Sequence, residues 1–294
     1  PDWATPDATK SFRMREIDPK VPADAALVAE LVRLETPEAE PKLKLGALLV
    51  TAGQTVENDM YSNRETTSLF DEFLGLMAQK VRLKGFGGYS AQLDTEHDGS
   101  GEYSYHVANF EGVEIMFHVS TELQYDETDE QRIQRKRFIG NDIVVVVFVE
   151  DEHTLFSGSA LTSEYTNVLL VVSPITYQGA AYYRVAVARN KGVPAFGPPA
   201  AALYPRNAGF AAFLLTKAIN ASTAACASPE FLVRERRTRA TYLELFHSKA
   251  SSEAHDVPRG VWQPVKARIA PYAPGAGFPS PSAARGSGVA FVPV

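Results

Sequence analysis

The sequence predicts an α/β or α+β fold, with strands and helices layered around one central buried strand. Three observations predict it. Ile143 to Val149 is an unbroken apolar run of mostly β-branched residues, the pattern of a strand covered on both faces. Segments with strand-like and helix-like spacing are interspersed on both sides of that run. The chain of 294 residues is 45% hydrophobic and 22% charged, an ordinary globular composition with enough length for a sizeable core.

The elements follow in order. Residues 1 to 42 carry six prolines and mixed charge. One short helix is expected there, from Ala25 to Leu34, with Asp24 as N-cap and Leu27, Val28, Leu31 and Leu34 at helical spacing. Leu43 to Val50 reads as a strand. A helix is expected from Ser68 to Val81, its face formed by Phe70, Phe73, Leu74, Met77 and Val81. Gly85, Gly87 and Gly88 then break the pattern. Tyr103 to Ala108 and Val113 to Val119 predict a hairpin across Asn109-Phe110-Glu111-Gly112. Thr128 and Gln131 have capping-box spacing for a helix from Asp129 to Ile139. Val168 to Val172 and Tyr183 to Val187 are further strands. Phe210 to Ala225 is a helix, and Ser228-Pro229 starts another that runs to Phe246. From Ser251 the chain is rich in Pro, Gly and Ser and reads as a tail or linker.

Composition excludes several classes. A net charge of -6 and a pI near 5.6 argue against general nucleic-acid binding. The single cysteine, Cys226, supports neither a disulfide framework nor a multi-cysteine zinc site. No apolar run approaches the roughly 20 residues of a membrane helix, so direct membrane insertion is not expected. The first residues lack a charged segment followed by an apolar core, so no secretory leader is expected, and a cytoplasmic location is. Glu96, His97 and Asp98 lie in a Gly-rich turn and are read as solvated, so no metal is expected. There is no GxxxxGK[ST] loop, and so no nucleotide site of the chain's own.

The informative segment runs from Thr128 to Phe148. Acidic residues crowd the start of its helix, and Arg132, Arg135, Lys136 and Arg137 lie toward its end. Complementing the helix dipole at about 0.3–1 kcal/mol each explains those charges without any function. Gly140-Asn141-Asp142 is likewise an ordinary way to end a helix. Yet these polar residues stand at the rim of the central strand, where α/β folds often place ligand chemistry.

Arg135-Lys136-Arg137-Phe138-Ile139-Gly140-Asn141-Asp142-Ile143-Val144 resembles the catalytic segment of the Rap-type GTPase-activating proteins. Further blocks resemble the family in order. They are Gly53-Gln54-Thr55, Tyr61-Ser62-Asn63, Glu114 to Thr121, Val193 to Pro199 and Phe213 to Ala221. Arg82-Leu83-Lys84-Gly85-Phe86 with Ala91-Gln92-Leu93-Asp94-Thr95 resembles the Spa-1-like branch. The resemblance covers Leu43 to Phe246. One departure is Phe138, where the family usually has His.

The resemblance implies a mixed central sheet flanked by helices, similar to a G domain, with a smaller N-terminal α+β portion. It implies an accessory, partly dimerisation-type portion at 1–80, a catalytic domain at 81–250 and a tail at 251–294, and leaves a homodimer open. It implies stimulation of GTP hydrolysis on a Rap-like small GTPase in its GTP state, with GTP and Mg²⁺ belonging to the partner and no cofactor of the chain's own. Asn141 is then the catalytic residue. Its amide would orient the attacking water in trans, in place of the Gln that Ras-like GTPases use. Arg135, Phe138 and Lys84 would line the partner interface. Lys136 and Arg137 would steer toward the partner or hold the helix against its own domain, and Asp142 would tie down the turn. A Rheb- or Ral-like partner, or a GTPase-binding module weakened by Phe138, are the alternatives.

Overall fold

The computed structural model describes residue 29, residues 41–253 and residues 291–293. In chain order the elements are β1 (Lys42–Val50), α1 (Glu57–Tyr61), α2 (Ser68–Met77), β2 (Gln79–Arg82), β3 (Tyr103–Phe110), β4 (Val113–Val119), α3 (Ile133–Ile139), β5 (Val144–Val149), β6 (Val168–Tyr177), β7 (Ala180–Asn190), β8 (Tyr204–Pro205), α4 (Ala208–Cys226), α5 (Pro229–Glu253) and β9 (Phe291–Pro293). The chain divides into two compact units, Ala39–Glu235 with Ser287–Val294, and Pro1–Glu38 with Arg236–Gly286. The second unit's described residues are Ala29 and the later part of α5, where Tyr242, Leu243 and Leu245 are exposed. The expected helix from Ala25 to Leu34 lies, apart from Ala29, outside the described residues.

The first unit is built on one mixed sheet in the order β2-β3-β4-β1-β5-β6-β7-β8, with β9 also on β7. β1 runs parallel to both β4 and β5, and β5 parallel to β6. The outer pairs β2–β3, β3–β4 and β6–β7 are antiparallel. Alternation splits the side chains of the central strands between two cores. Leu45, Ala47 and Leu49 of β1 and Val144, Val146 and Phe148 of β5 meet Phe70, Phe73, Leu74 and Met77 of α2 and Phe210, Leu214 and Ala218 of α4. The ring centroid of Phe73 lies within 6.3 Å of those of Phe70, Phe148, Tyr183 and Phe210, stacked on the first and tilted or edge-on to the others. On the other face Leu48, Val145, Val147 and Val149 meet Met60, Tyr61, Leu83, Leu93, Phe138 and Ile139. Each Val, Leu, Ile, Phe or Met among them contributes roughly 1.5–3 kcal/mol on burial. All six residues of β5 are buried, as its unbroken apolar run requires.

Both hairpins close on two-residue turns with positive φ at each position, Glu111-Gly112 and Gln178-Gly179. This is the handedness that matches strand twist. The α2 helix stops at Met77 rather than Val81, because Ala78 is extended and Gln79–Arg82 pairs with β3. Its N-cap is Thr67, whose side chain accepts from Phe70 N. α5 begins as its sequence predicts, with Ser228 Oγ accepting from Phe231 N.

A boundary at residue 80 is not seen. It would fall inside β2, and it would assign β1, which lies between β4 and β5, to a different domain from its neighbours. Residues 41–80 are part of the sheet unit. In the tail, α5 runs on to Glu253 and β9 pairs with β7. The remaining tail residues lie outside those described. Among the described residues no single helix is long and apolar enough to cross a membrane.

Candidate functional site

The site is built on α3 and the turn that joins it to β5. The helix begins at Ile133, four residues later than its capping-box spacing suggests. Arg132 before it adopts the left-handed conformation, φ 56° and ψ 34°. Thr128 does not cap it. Its N–H and hydroxyl both donate to Asp126, while Asp129 Oδ2 accepts from Gln134 N.

One face of this short helix packs down on the sheet, which corrects two expected interface residues. Arg135 is 2% exposed and Phe138 8% exposed. Positions 135, 138 and 139 fall on the same side of an α-helix, the side that meets β1 and β4. The Arg135 guanidinium donates to the carbonyls of Leu123 (3.1 Å), Tyr61 (3.0 Å) and Asn63. Burial pushes its pKa down to about 10. The Phe138 ring packs edge-on against His118 at 5.3 Å. Neither residue lines an open surface.

Lys136 and Arg137 differ from each other. Lys136 pairs with Glu57 at 3.2 Å, reaches Asn58 Oδ1 at 3.4 Å and lies over the Tyr61 ring, so it holds α3 against α1. Arg137 is exposed and has no ion-pair partner among the described residues. Lys84 is exposed on the turn after β2 and is not part of the groove described below. That turn belongs to the segment whose Leu83, Ala91 and Leu93 pack with Phe138.

Beyond α3, Gly140 N–H donates to Lys136 O at 2.7 Å, and the Asn141 and Asp142 amides donate to Phe138 O and Ile139 O. Asn141 is exposed, and its side-chain amide donates to Arg137 O at 2.6 Å. It stands at the amino end of β5, opposite to the carboxyl-end crevices where open α/β sheets usually bind ligands. Asp142 points the other way and is fully buried. Its carboxylate meets His118 Nδ1 at 2.8 Å and Lys44 at 3.7 Å. His118 Nε2 lies 2.9 Å from the Ala91 carbonyl, which only accepts, so Nε2 carries a proton. Burial raises the Asp142 carboxyl above the usual range, against the opposing pull of His118 and Lys44. Gly46 of β1 makes room for this turn. A Cβ there would lie 2.9 Å from Ile139 Cγ2, 3.0 Å from Val145 Cγ2 and 3.2 Å from Asp142 Oδ2.

Asn141 opens onto a groove of about 440 Å³. One wall is α3, with Ile133, Lys136 and Arg137. The facing wall is the loop from Leu161 to Thr166, and Glu57 and Tyr61 line it from α1. Two large apolar side chains stand exposed on opposite walls, Ile133 at 57% and Tyr165 at 52%. Glu57 joins the walls. Its carboxylate takes Lys136 on one side and Thr162 N, at 2.9 Å, on the other. Burial, with Glu57 and Asp142 nearby, raises the Tyr61 phenol above its ordinary pKa.

Sequence reasoning missed Glu57, Ser163, Tyr165 and Thr166. Each acts across 23 or more residues, so no local spacing could mark it. Elsewhere the resembling blocks bond to one another through side chains. Lys217 Nζ on α4 donates to Phe196 O (3.2 Å) and Pro198 O (2.8 Å), and Gln54 Nε2 donates to Asn63 Oδ1.

The Rap/ran-GAP family profile matches residues 60–240. The chain belongs to the Rap/ran-GAP family. This Rap/ran-GAP chain is 41% identical over 220 residues to signal-induced proliferation-associated 1-like protein 1 of Mus musculus, covering 73% of this chain and 12% of that protein. It is 41% identical over 239 residues to human signal-induced proliferation-associated protein 1, covering 79% of this chain and 22% of that protein. These relatives place it in the Spa-1-like branch, and it spans less than a quarter of the length of either. Among solved structures, the TSC2 GAP domain superposes with a TM-score of 0.56 at 28% identity, covering 63% of this chain and 96% of that one. That likeness agrees with the α/β fold.

Proposed function

We propose that this Rap/ran-GAP chain stimulates GTP hydrolysis on a Rap-like small GTPase in its GTP state, with Asn141 as the catalytic residue acting in trans. The observation that carries the reading is Asn141 itself. It is exposed on an open groove, on a backbone pinned to a buried Asp142, within the segment that resembles the family's catalytic block.

The chemistry follows from the amide. Its oxygen accepts from the attacking water, and its N–H donates to a phosphate oxygen of the partner's GTP. The partner supplies nucleotide and Mg²⁺. In the free protein the amide rests on Arg137 O, so a swing about its side-chain torsions exchanges that bond for contacts with water and phosphate. Exposed Ile133 and Tyr165 supply apolar contact on either side of it, and Arg137, which lies over the Phe138 ring at 5.1 Å and has no carboxylate partner among the described residues, supplies a cation. Because no step titrates Asn141, the stimulated rate gains no pH dependence from it.

Phe138 is turned inward, against His118, so replacement of the family His there changes packing and leaves the exposed wall of the groove intact. This favours an active protein over a binding module. Single-turnover GTP hydrolysis on a panel of Rap, Rheb and Ral tests the reading. Stimulation of Rap by wild type and its loss in Asn141→Ala is the expected result. Stimulation of Rheb or Ral alone moves the partner. Binding without stimulation of any of them overturns the catalytic reading.

A further inference from the structure

We propose that Ser163, seconded by Thr166, is a positioning residue that grips the backbone on both sides of Asn141. The inference rests on the GTPase-activating reading and goes beyond it, because neither residue lies in the resembling catalytic segment.

The geometry is specific. Ser163 Oγ donates to the Gly140 carbonyl at 2.6 Å, and Thr166 Oγ1 donates to the Asp142 carbonyl at 3.0 Å. These are the carbonyls of the two residues flanking Asn141. Ser163 Oγ also accepts from Tyr165 N at 3.1 Å and Thr166 N at 3.0 Å. With its acceptor sites taken by two N–H groups, the single hydroxyl proton is left for Gly140 O. The peptide linking Gly140 to Asn141 is then held at both ends, its C=O by Ser163 and its N–H by Phe138 O at 3.1 Å. Asp142 N is held by Ile139 O in the same way. The Asn141 backbone is therefore fixed, while its side chain rests on one bond and swings.

The same loop presents Tyr165 to the groove. Arg234 braces it from behind, donating to Glu164 O at 2.7 Å and lying over the Tyr165 ring at 5.5 Å. A partner that seats on Tyr165 therefore bears on the loop that sets Asn141. Docking and catalytic alignment share one scaffold.

A positioning role predicts a particular split. A misplacement of up to 1 Å at a catalytic group costs up to about a hundredfold in rate. The experiment compares wild type, Ser163→Ala, Ser163→Thr and Thr166→Val. It reads kcat and KM for stimulated hydrolysis on whichever GTPase wild type activates, the thermal midpoint, and the ¹⁵N resonance of the Asn141 backbone amide. Ser163→Ala is expected to lower kcat about ten- to a hundredfold, to leave KM within about twofold, and to shift or broaden the Asn141 amide signal. Ser163→Thr, which keeps the hydroxyl, is expected to restore both. Thr166→Val is expected to fall between. Unchanged kcat and an unmoved Asn141 signal in Ser163→Ala would overturn the proposal. So would loss of kcat, KM and thermal midpoint together with no recovery in Ser163→Thr, which is the mark of a loop that merely needs its serine to fold. Should wild type stimulate nothing, the activating reading fails by itself, and the amide signal still decides whether Ser163 grips this turn.

Discussion

Arg135 offers the sharpest test of how α3 is held. Its guanidinium is buried, has no carboxylate partner among the described residues, and spends its donors on three carbonyls from two separate segments. Charge-assisted bonds contribute about 1.5–3 kcal/mol each, so three give a gross value of about 4.5–9 kcal/mol. Burying the cation costs several kcal/mol of this, as the depressed pKa of about 10 indicates. A net loss of about 3–5 kcal/mol is therefore expected for Arg135→Ala, which also strands the carbonyls of Leu123, Tyr61 and Asn63. For a unit of this size that lowers the melting midpoint by roughly 6–20 °C. Arg135→Lys, which keeps the charge and loses the fork, is expected to recover part of it. Urea unfolding followed by circular dichroism reads the loss. A stability change under about 1 kcal/mol, with GTPase stimulation nonetheless gone, would refute the reasoning, because Arg135 would then be acting on the partner.

Other outcomes follow from neighbouring features. Asn141→Ala is expected to remove most stimulation, on the scale of about 10³-fold or more for trans-supplied groups, while affinity for the GTP-state partner in a pull-down or calorimetric titration stays near wild type. Gly46→Ala forces a methyl against Ile139 and Val145 and is expected to cost about 1–3 kcal/mol, read by urea unfolding, with stimulation falling as the α3–β5 turn is displaced. Lys217→Met leaves the Phe196 and Pro198 carbonyls without their donor, at a cost of about 1–3 kcal/mol. Burial lowers the Lys217 pKa below its ordinary 10.5. The unfolded chain therefore holds that proton more tightly, and this group's contribution to stability rises with pH toward 10.5. The wild-type minus Lys217→Met difference in unfolding free energy across that range is expected to show the rise.

The sheet was largely legible because its signals are local. The apolar run of β5, the alternating hairpin strands and the Phe70, Phe73, Leu74 and Met77 face of α2 each report burial directly. The limits of elements were less so. Val81 completes a helical face on paper, but pairing of Gln79–Arg82 with β3 takes that segment into the sheet. The Thr128 and Gln131 spacing suggests a cap, but Asp126 captures Thr128 and the helix starts later. In the site, the turn from α3 into β5 was readable, with Asp142 as the residue that ties it down. The outward or inward aim of Arg135 and Phe138 was not, because a run of cations reads the same whichever face of a short helix meets the core. Glu57, Ser163 and Thr166 left no trace, since their partners are brought to them only by the closed sheet.

The place of β1 has a practical consequence for anyone isolating a piece of this chain. The family match begins at residue 60, after β1 has ended, yet that strand bonds to β4 on one side and β5 on the other. A fragment cut at residue 60 would split the sheet down its middle and leave two long apolar margins with open N–H and C=O rows. Such rows recruit strands from other molecules. Insolubility of that fragment would then reflect a missing centre strand, and restoring Lys42–Val50, even as a separate peptide, is the remedy to try first.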